Sequence, residues 1–181
     1  RIRIIRDLDV AVYTHPADCH GVSLEFFTES FHEDERLTGG PMRPSSYWRD
    51  EHPLALTGLH GLTHVTPDLE ATAQFFCDLL DAQPMDEQER PAIGGRAVAL
   101  QVADMVLEVL TPTGPGRLKE HLERHGEGLR STVFRVHDLD KACAHLSAHG
   151  IDPVTGTAPS AVAIPAEQNL GVIFELVQHD G

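Results

Sequence analysis

Residues 165–175 read PAEQNLGVIFE, and residues 16–25 repeat the phrase, one residue shorter, as PADCHGVSLE. Both copies end in a short apolar strand with one carboxylate set into it, at Glu175 and at Glu25. A weaker third copy, MVLEVL at residues 105–110, carries its acid at Glu108. A buried carboxylate is unfavourable unless something pairs with it, so three occurrences indicate a repeated structural unit in which that acid has a role.

The first unit reads as β-α-β-β-β. A strand-like stretch from Leu59 leads to Asp68, which is well placed to cap a helix N-terminus, and apolar side chains then recur at helical spacing over residues 69–80. Three strand candidates follow, around Met85, over residues 97–102 and over residues 105–110.

The second unit repeats this order. Its opening strand is predicted over residues 131–136, its helix cap at Asp138 and its helix over residues 139–149, with three short strand candidates after it. The caps Asp68 and Asp138 are 70 residues apart, and Glu108 and Glu175 are 67 apart, so the two units are in step.

The repeat predicts how the chain is divided. Two complete modules, residues 57–112 and 128–178, form one domain over residues 57–181. Residues 31–56 are a polar linker, and residues 1–30 look like the last strands of an incomplete module. We therefore expect this chain to be the C-terminal part of a longer tandem protein.

Composition excludes several classes of partner. The chain has 181 residues with 14 Lys and Arg against 28 Asp and Glu, a net charge of −14 that repels nucleic acid and anionic membranes. No apolar run approaches the ~20 residues of a membrane helix. Three scattered cysteines without CxxC spacing favour reduced thiols. We expect a cytoplasmic protein that acts on a small molecule.

These residues together resemble the vicinal oxygen chelate superfamily. The resemblance rests on the helix starts PDLEAT (residues 67–72) and HDLDKA (residues 137–142) and on closing strands with a central Glu. Residues 15–25 are similar to the final strands of methylmalonyl-CoA epimerases. The resemblance implies an α+β fold in which two β-α-β-β-β modules form an open barrel. The superfamily includes glyoxalases, bleomycin-resistance proteins and extradiol dioxygenases.

The resemblance also implies a divalent metal ion inside the barrel (Zn, Ni, Co, Mn or Fe). Family members hold it with the first and last strands of each unit, through His and Glu or Gln, and use it to stabilise an enolate. The closing-strand positions are Glu108 and Glu175, which are predicted as catalytic residues and metal ligands. The second opening strand has Ser131 at the ligand position, a weak ligand preceded by the cation-repelling Arg130.

The first opening strand admits two registers. Counting seven residues back from the helix cap, which gives Ser131 in the second unit, reaches Gly61 in the first. A register shifted by one residue instead places His60 opposite Ser131, with His64 on the same face. We favour the shifted register because the uninterrupted one presses His64 against the helix. The predicted metal ligands are therefore His60, Glu108 and Glu175, and a metal-free pocket is the alternative.

Two helices carry histidine pairs at i, i+4 spacing, namely His121 with His125 and His145 with His149. Such pairs can bind metals, but these lie among Glu, Arg and Lys. They are predicted as solvated helix faces.

Three functions remain open. The first is a metal-dependent lyase, isomerase or epimerase acting on a small carbonyl compound or thioester. The second is a non-catalytic binding protein of the bleomycin-resistance kind. The third, extradiol dioxygenase activity, needs two His and one carboxylate and is disfavoured by Ser131. Loops at residues 83–96 and 156–160 are expected to shape the pocket, and the superfamily pairs its modules within a chain or across a homodimer.

Overall fold

The structure, a computed structural model, describes residues 1–8, 10–28 and 43–178. It contains a three-stranded sheet near the N-terminus and a separate eight-stranded sheet. The strands of the small sheet, in the order β1-β2-β3, are β1 (Ile4–Asp7), β2 (Ala11–Thr14) and β3 (Glu25–Phe27). A short helical turn at Tyr47–Glu51 precedes the large sheet. The first part of the predicted linker, residues 31–42, lies outside the described residues, and the division into domains stays a prediction.

The eight-stranded sheet is built from two β-α-β-β-β runs. The first run consists of β4 (Leu56–Val65), α1 (Leu69–Leu80), β5 (Gln83–Arg90), β6 (Gly95–Val102) and β7 (Met105–Pro112). After the connecting helix α2 (Arg117–His125), the second consists of β8 (Gly128–Val136), α3 (Leu139–Ala148), β9 (Val154–Thr155), β10 (Val162–Ile164) and β11 (Ile173–Gln178).

The strand order β5-β6-β7-β4-β8-β11-β10-β9 joins the two runs through their opening strands. In each run the opening strand pairs in parallel with the closing strand, and β4 pairs with β8 in the antiparallel sense. The sheet curls into a half-barrel. This arrangement confirms the predicted α+β fold with two β-α-β-β-β modules.

The helices α1 and α3 begin directly after the predicted N-caps, Asp68 and Asp138. The Asp68 carboxylate accepts the N–H of Ala71 at 3.0 Å, and the Asp138 carboxylate accepts the N–H of Lys141 at 2.9 Å. Each helix packs against one face of its own module, α1 on Leu107 and its neighbours and α3 on buried residues of β10 and β11. Because strand side chains alternate, Glu108 and Glu175 point to the other, concave face.

The connecting helix α2 covers one end of the concave face. Leu118 of α2 is fully buried against Val65, Ala97 and Leu110. Full burial of one leucine side chain contributes roughly 2 kcal/mol, which fixes the helix across this end. Open space on the concave face is therefore confined to what α2 leaves uncovered.

The small sheet repeats the local fold of the last three strands. A 3-10 turn precedes the closing strand in both places, at Pro16–Asp18 and Ala166–Gln168. The residue before the shared glycine has a left-handed backbone in both copies, with φ of 51° at His20 and 52° at Leu170. The two copies of the repeated sequence, residues 16–25 and 165–175, therefore fold alike.

The predicted register shift of β4 is wrong. Thr63 lies opposite Glu108 on β7 and opposite Ser131 on β8, so β4 follows the uninterrupted register. His64 points to the convex face, where it is fully buried against Phe76. Its Nε2 donates to the backbone carbonyl of His20 at 2.7 Å. The N-terminal segment thus supplies the acceptor that makes a buried histidine acceptable.

None of the helices in the described ranges combines the length and apolar character that crossing a membrane requires.

Candidate functional site

A cavity of about 220 Å³ opens on the concave face of the large sheet, between the two modules. All three predicted site residues, His60, Glu108 and Glu175, line it. The fold also brings Thr63, Arg90 and Thr157 to its walls, and most of the remaining wall is apolar. Arg90 and Thr157 come from the two stretches that were expected to shape the pocket. The first of these, residues 83–96, was predicted as a loop but is mostly strand, since β5 covers Gln83–Arg90 and β6 begins at Gly95.

Glu175 is 1% exposed and has both carboxylate oxygens occupied. Its Oε1 accepts from Arg130 at 2.8 Å and from the hydroxyls of Ser131 and Thr157 at 2.7 Å each. Its Oε2 accepts the backbone N–H of Thr157 at 2.6 Å. These four hydrogen bonds join β8, β11 and the loop after β9, and a substrate or metal would compete with them for the carboxylate.

Glu108 is arranged differently. Arg90 donates from Nε and Nη2 to the same oxygen, Oε1, at 2.8 and 2.5 Å. Within the described part of the chain no donor reaches Oε2, and the side chain keeps 12% exposure. Burial raises the pKa of Glu108 and the nearby charge of Glu175 adds to the rise, while Arg90 opposes it. Glu108 thus has one anchored oxygen and one free oxygen facing an apolar cavity, as a general base requires.

His60 lies at an irregularity of β4, between Leu59 and Gly61. Arg135 donates from Nε to its Nδ1 at 3.3 Å. Because arginine can only donate, Nδ1 must hold a lone pair. Burial, with the charge of Arg135, lowers the pKa of His60. We therefore assign a neutral imidazole with its proton on Nε2, a hydrogen-bond donor at the cavity wall.

The arrangement of donors does not fit the predicted divalent metal. Gly61 and Ser131 occupy the two opening-strand ligand positions, and a Cβ at Gly61 would lie 1.9 Å from the Val106 carbonyl oxygen, so no side chain fits there. The guanidinium groups of Arg90 and Arg130 lie within 2.8 Å of the two carboxylates and repel a cation.

The described residues also lack a cluster of side chains that could bind a metal ion together. No three His, Cys, Asp or Glu side chains in residues 1–8, 10–28 and 43–178 lie close enough together to hold one metal ion. His60 presents the nitrogen that carries the proton, whereas a metal ligand must present a lone pair. The two-His, one-carboxylate set of an extradiol dioxygenase is not formed either, since His60 is the one histidine among the described residues lining this cavity.

Sequence reasoning missed two residues that decide the chemistry of the site. Arg90 ends β5 and is the one buried position in that strand, whose other residues are exposed. Thr157 lies in an irregular loop, where no periodic pattern marks the inward-facing residue. Arg130 was expected to repel cations, and in the structure its guanidinium group forms an ion pair with the Glu175 carboxylate.

Comparisons with known proteins agree with the fold. A solved methylmalonyl-CoA epimerase from Mycobacterium tuberculosis is 26% identical, with 70% of this chain and 90% of that chain covered at a TM-score of 0.64. A variant of the Streptomyces coelicolor enzyme in complex with 2-nitronate-propionyl-CoA is 22% identical, with 70% and 99% covered at 0.63. A hypothetical protein from Bacillus halodurans C-125 is 15% identical, with 68% and 94% covered at 0.61.

No curated protein matches the sequence. A family model does match, and its description is Glyoxalase/Bleomycin resistance protein/Dioxygenase superfamily. The match spans residues 60–166, which is 107 of the 181 residues and includes most of both modules. The chain therefore belongs to the Glyoxalase/Bleomycin resistance protein/Dioxygenase superfamily.

Proposed function

We propose that this protein is an isomerase-type enzyme that moves a proton next to the carbonyl group of a small carbonyl compound or thioester. The observation that carries the proposal is Glu108. Arg90 holds one of its oxygens, the other oxygen is free, and burial raises its pKa. The likeness to the Mycobacterium tuberculosis methylmalonyl-CoA epimerase supports the same class of chemistry.

The proposed reaction starts with Glu108 Oε2 removing the proton from the carbon beside the carbonyl. The C–H bond breaks, an O–H bond forms on Glu108, and the electron pair moves to the carbonyl oxygen to give an enolate. His60 also lines the cavity, and we assign its Nε2–H as the donor to that oxygen. A neutral donor fixed in an apolar site stabilises developing negative charge more than it does in water.

Return of the proton completes the cycle. In a substrate with a hydroxyl on the carbon that lost its proton, the hydroxyl proton moves to the enolate oxygen and Glu108 gives its own proton to the former carbonyl carbon on the same face. The carbonyl thereby moves by one position. In a thioester the proton returns to the carbon that it left, and the outcome is exchange with the solvent. An epimerase needs a second proton donor on the opposite face, and the nearby carboxylate, Glu175, has both oxygens occupied. One-base isomerisation therefore suits this site better than epimerisation.

Metal dependence stays a prediction, and the proposed proton transfer uses only side chains of this protein. The predicted ligands His60, Glu108 and Glu175 do not fit a divalent metal ion, because Gly61 and Ser131 stand at the opening-strand ligand positions. Here Arg90 and Arg130 lie beside the carboxylates. A homodimer, which the family also uses, likewise stays a prediction.

A binding protein without catalysis is the second candidate. One observation favours it: Glu175 has four donors and is therefore a structural residue, so a single free carboxylate remains in a mostly apolar cavity. Such a cavity could sequester a small hydrophobic ligand without reacting with it.

Exchange of substrate protons with deuterium from the solvent separates the two candidates. Small hydroxyaldehydes, hydroxyketones and acyl thioesters are incubated with the protein in D₂O, and loss of the signal of the proton beside the carbonyl is followed by NMR. We expect catalysed exchange that falls by about 10²-fold or more in Glu108→Gln. The control is Glu89→Gln, an exposed residue of β5. Unchanged exchange in Glu108→Gln would overturn the mechanism, and ligand binding without exchange would establish the binding protein.

A further inference from the structure

A second cavity, of about 240 Å³, lies between α2 and the strands of the second module. It shares no lining residue with the cavity that contains Glu108. The two cavities are adjacent, since Arg130 in the second donates a hydrogen bond to Glu175 in the first. Three arginines line it, two from α2 and one from β8: Arg117, Arg124 and Arg130. Its opposite wall is apolar, formed by Val154, Ala163 and Ile173 among others.

We propose that this second cavity binds a small organic anion, a carboxylate or phosphate ester carried on a short apolar body. The proposal is independent of the isomerase function, because it rests on a different set of residues. Three guanidinium groups supply the donors for an oxyanion, and the apolar wall suits a short hydrocarbon chain.

Arg130 is the innermost of the three cations. Its side chain is 4% exposed, and Nη1 donates to Glu175 at 2.8 Å and to Thr157 at 2.9 Å. Neither Nε nor Nη2 donates to any residue that the structure describes, and Nε is fully buried. A buried guanidinium with unused donors is unfavourable, and an oxyanion in the adjoining cavity would accept from Nη2, since the fully buried Nε has no open surface.

The two arginines of α2 are not neutralised by a carboxylate in the described part of the chain. Arg117 Nη2 donates to the carbonyls of Ala92 and Thr155 at 3.2 and 2.7 Å, which orients the guanidinium without cancelling its charge. Arg124 is exposed, and no acidic side chain among the described residues pairs with it. Both are therefore free to pair with the charge of a ligand.

Arginines outnumber acids in the lining of this cavity, three against Glu120 and Glu167, although the chain carries −14 and Arg130 is itself paired with Glu175. His121 also lines the cavity, and its pKa is lowered to about 4 by burial and then by the charges of Arg130, His125 and Arg124. Glu120 and Glu167 also line the cavity, with exposed side chains. An anion entering here can pair with Arg117 and Arg124, the two guanidinium groups that no carboxylate in the described ranges neutralises.

An NMR titration of the whole chain at constant ionic strength tests the proposal. The probes are butyrate, propyl phosphate and, as a neutral match, 1-butanol. We expect saturable binding of an anion with a Kd of about 1 mM, and no binding of butanol. The chemical shift changes should be confined to residues 117–125, 130, 154, 163–167 and 173. Preference for propyl phosphate or for butyrate identifies which oxyanion the site takes. Shifts that do not saturate, or that map to the Glu108 cavity, would overturn the proposal.

Matched variants separate a built site from general electrostatics. Arg124→Gln is expected to weaken the binding of the anion by about fivefold. Lys119→Gln removes the same charge from the same helix, but Lys119 lies outside this cavity and should change the affinity less than about twofold. Equal effects of the two variants, or none from either, would contradict the site. Glu108→Gln should bind the anion like the wild type, so failure of the isomerase proposal leaves this test intact.

Discussion

Replacing Glu175 by Gln should destabilise the protein by about 3 to 5 kcal/mol, the usual effect of leaving one member of a buried ion pair alone. Oriented with its oxygen at the Oε1 position, the amide keeps acceptors for Arg130, Ser131 and the Thr157 hydroxyl. Its NH₂ group then faces the Thr157 N–H, which now sits 2.6 Å from Oε2, and two donors oppose each other. An unsatisfied buried N–H accounts for about 1 to 3 kcal/mol, and the uncompensated charge of Arg130 accounts for the rest.

Urea unfolding at neutral pH, followed by circular dichroism, measures this free energy. A second variant tests the reasoning independently. Arg130→Met combined with Glu175→Leu removes both charges and should recover the part of the loss that comes from the unpaired charge, since apolar replacement of a whole buried pair is often close to neutral. The Thr157 N–H stays unpaired in this variant and keeps its cost of about 1 to 3 kcal/mol. A loss below about 1 kcal/mol in Glu175→Gln would refute the account of this carboxylate, because it would show the four donors to be dispensable.

The remaining predictions concern Glu108, Gly61 and His64. Because burial raises the pKa of Glu108, the rate of proton exchange should rise with pH and reach half its plateau above the ordinary Glu value of 4.5; a midpoint below that value would exclude Glu108 as the base. Gly61→Ala places a Cβ 1.9 Å from the Val106 carbonyl oxygen and should cost about 3 kcal/mol in unfolding free energy, whereas Gly114→Ala, with open space around it, should change stability by less than about 0.5 kcal/mol. Burial lowers the pKa of His64 in the folded state, so the unfolded chain binds the proton more readily and stability falls as pH drops below 6.5. His64→Gln should therefore lose less unfolding free energy than the wild type between about pH 7 and pH 5, and equal losses would show that His64 does not contribute.

The parts of the fold that depend on near neighbours in the chain could be predicted. The caps Asp68 and Asp138 bond to a backbone N–H three residues away, and both helices begin there. The alternation of strand residues placed Glu108 and Glu175 on the same face of the sheet, and the repeat offset related them to each other. Caps and alternation are local, so they survive in the sequence as recognisable patterns.

The register of β4 could not be obtained in this way. A buried His64 looks unfavourable from its neighbours in the chain, because its acceptor is a backbone carbonyl of His20, 44 residues away. The histidine pair of α2 shows the same limit. It was predicted on a solvated face, but His121 lies half-buried in a cavity that β10 and β11 complete.

The sequence by itself determined the two modules, the helix starts and the strand positions of the acids Glu108 and Glu175, since each follows from periodicity or from contacts a few residues apart. Only the tertiary structure decided which side chains donate hydrogen bonds to those acids. Arg90 and Thr157 each lie 18 residues from the carboxylate that they bind, with a loop between, and strand alternation selects a face but not a partner. Those partners place donors on both oxygens of Glu175 and leave one oxygen of Glu108 free. Hydrogen bonds to a buried charge depend on distances that only the packed sheet sets.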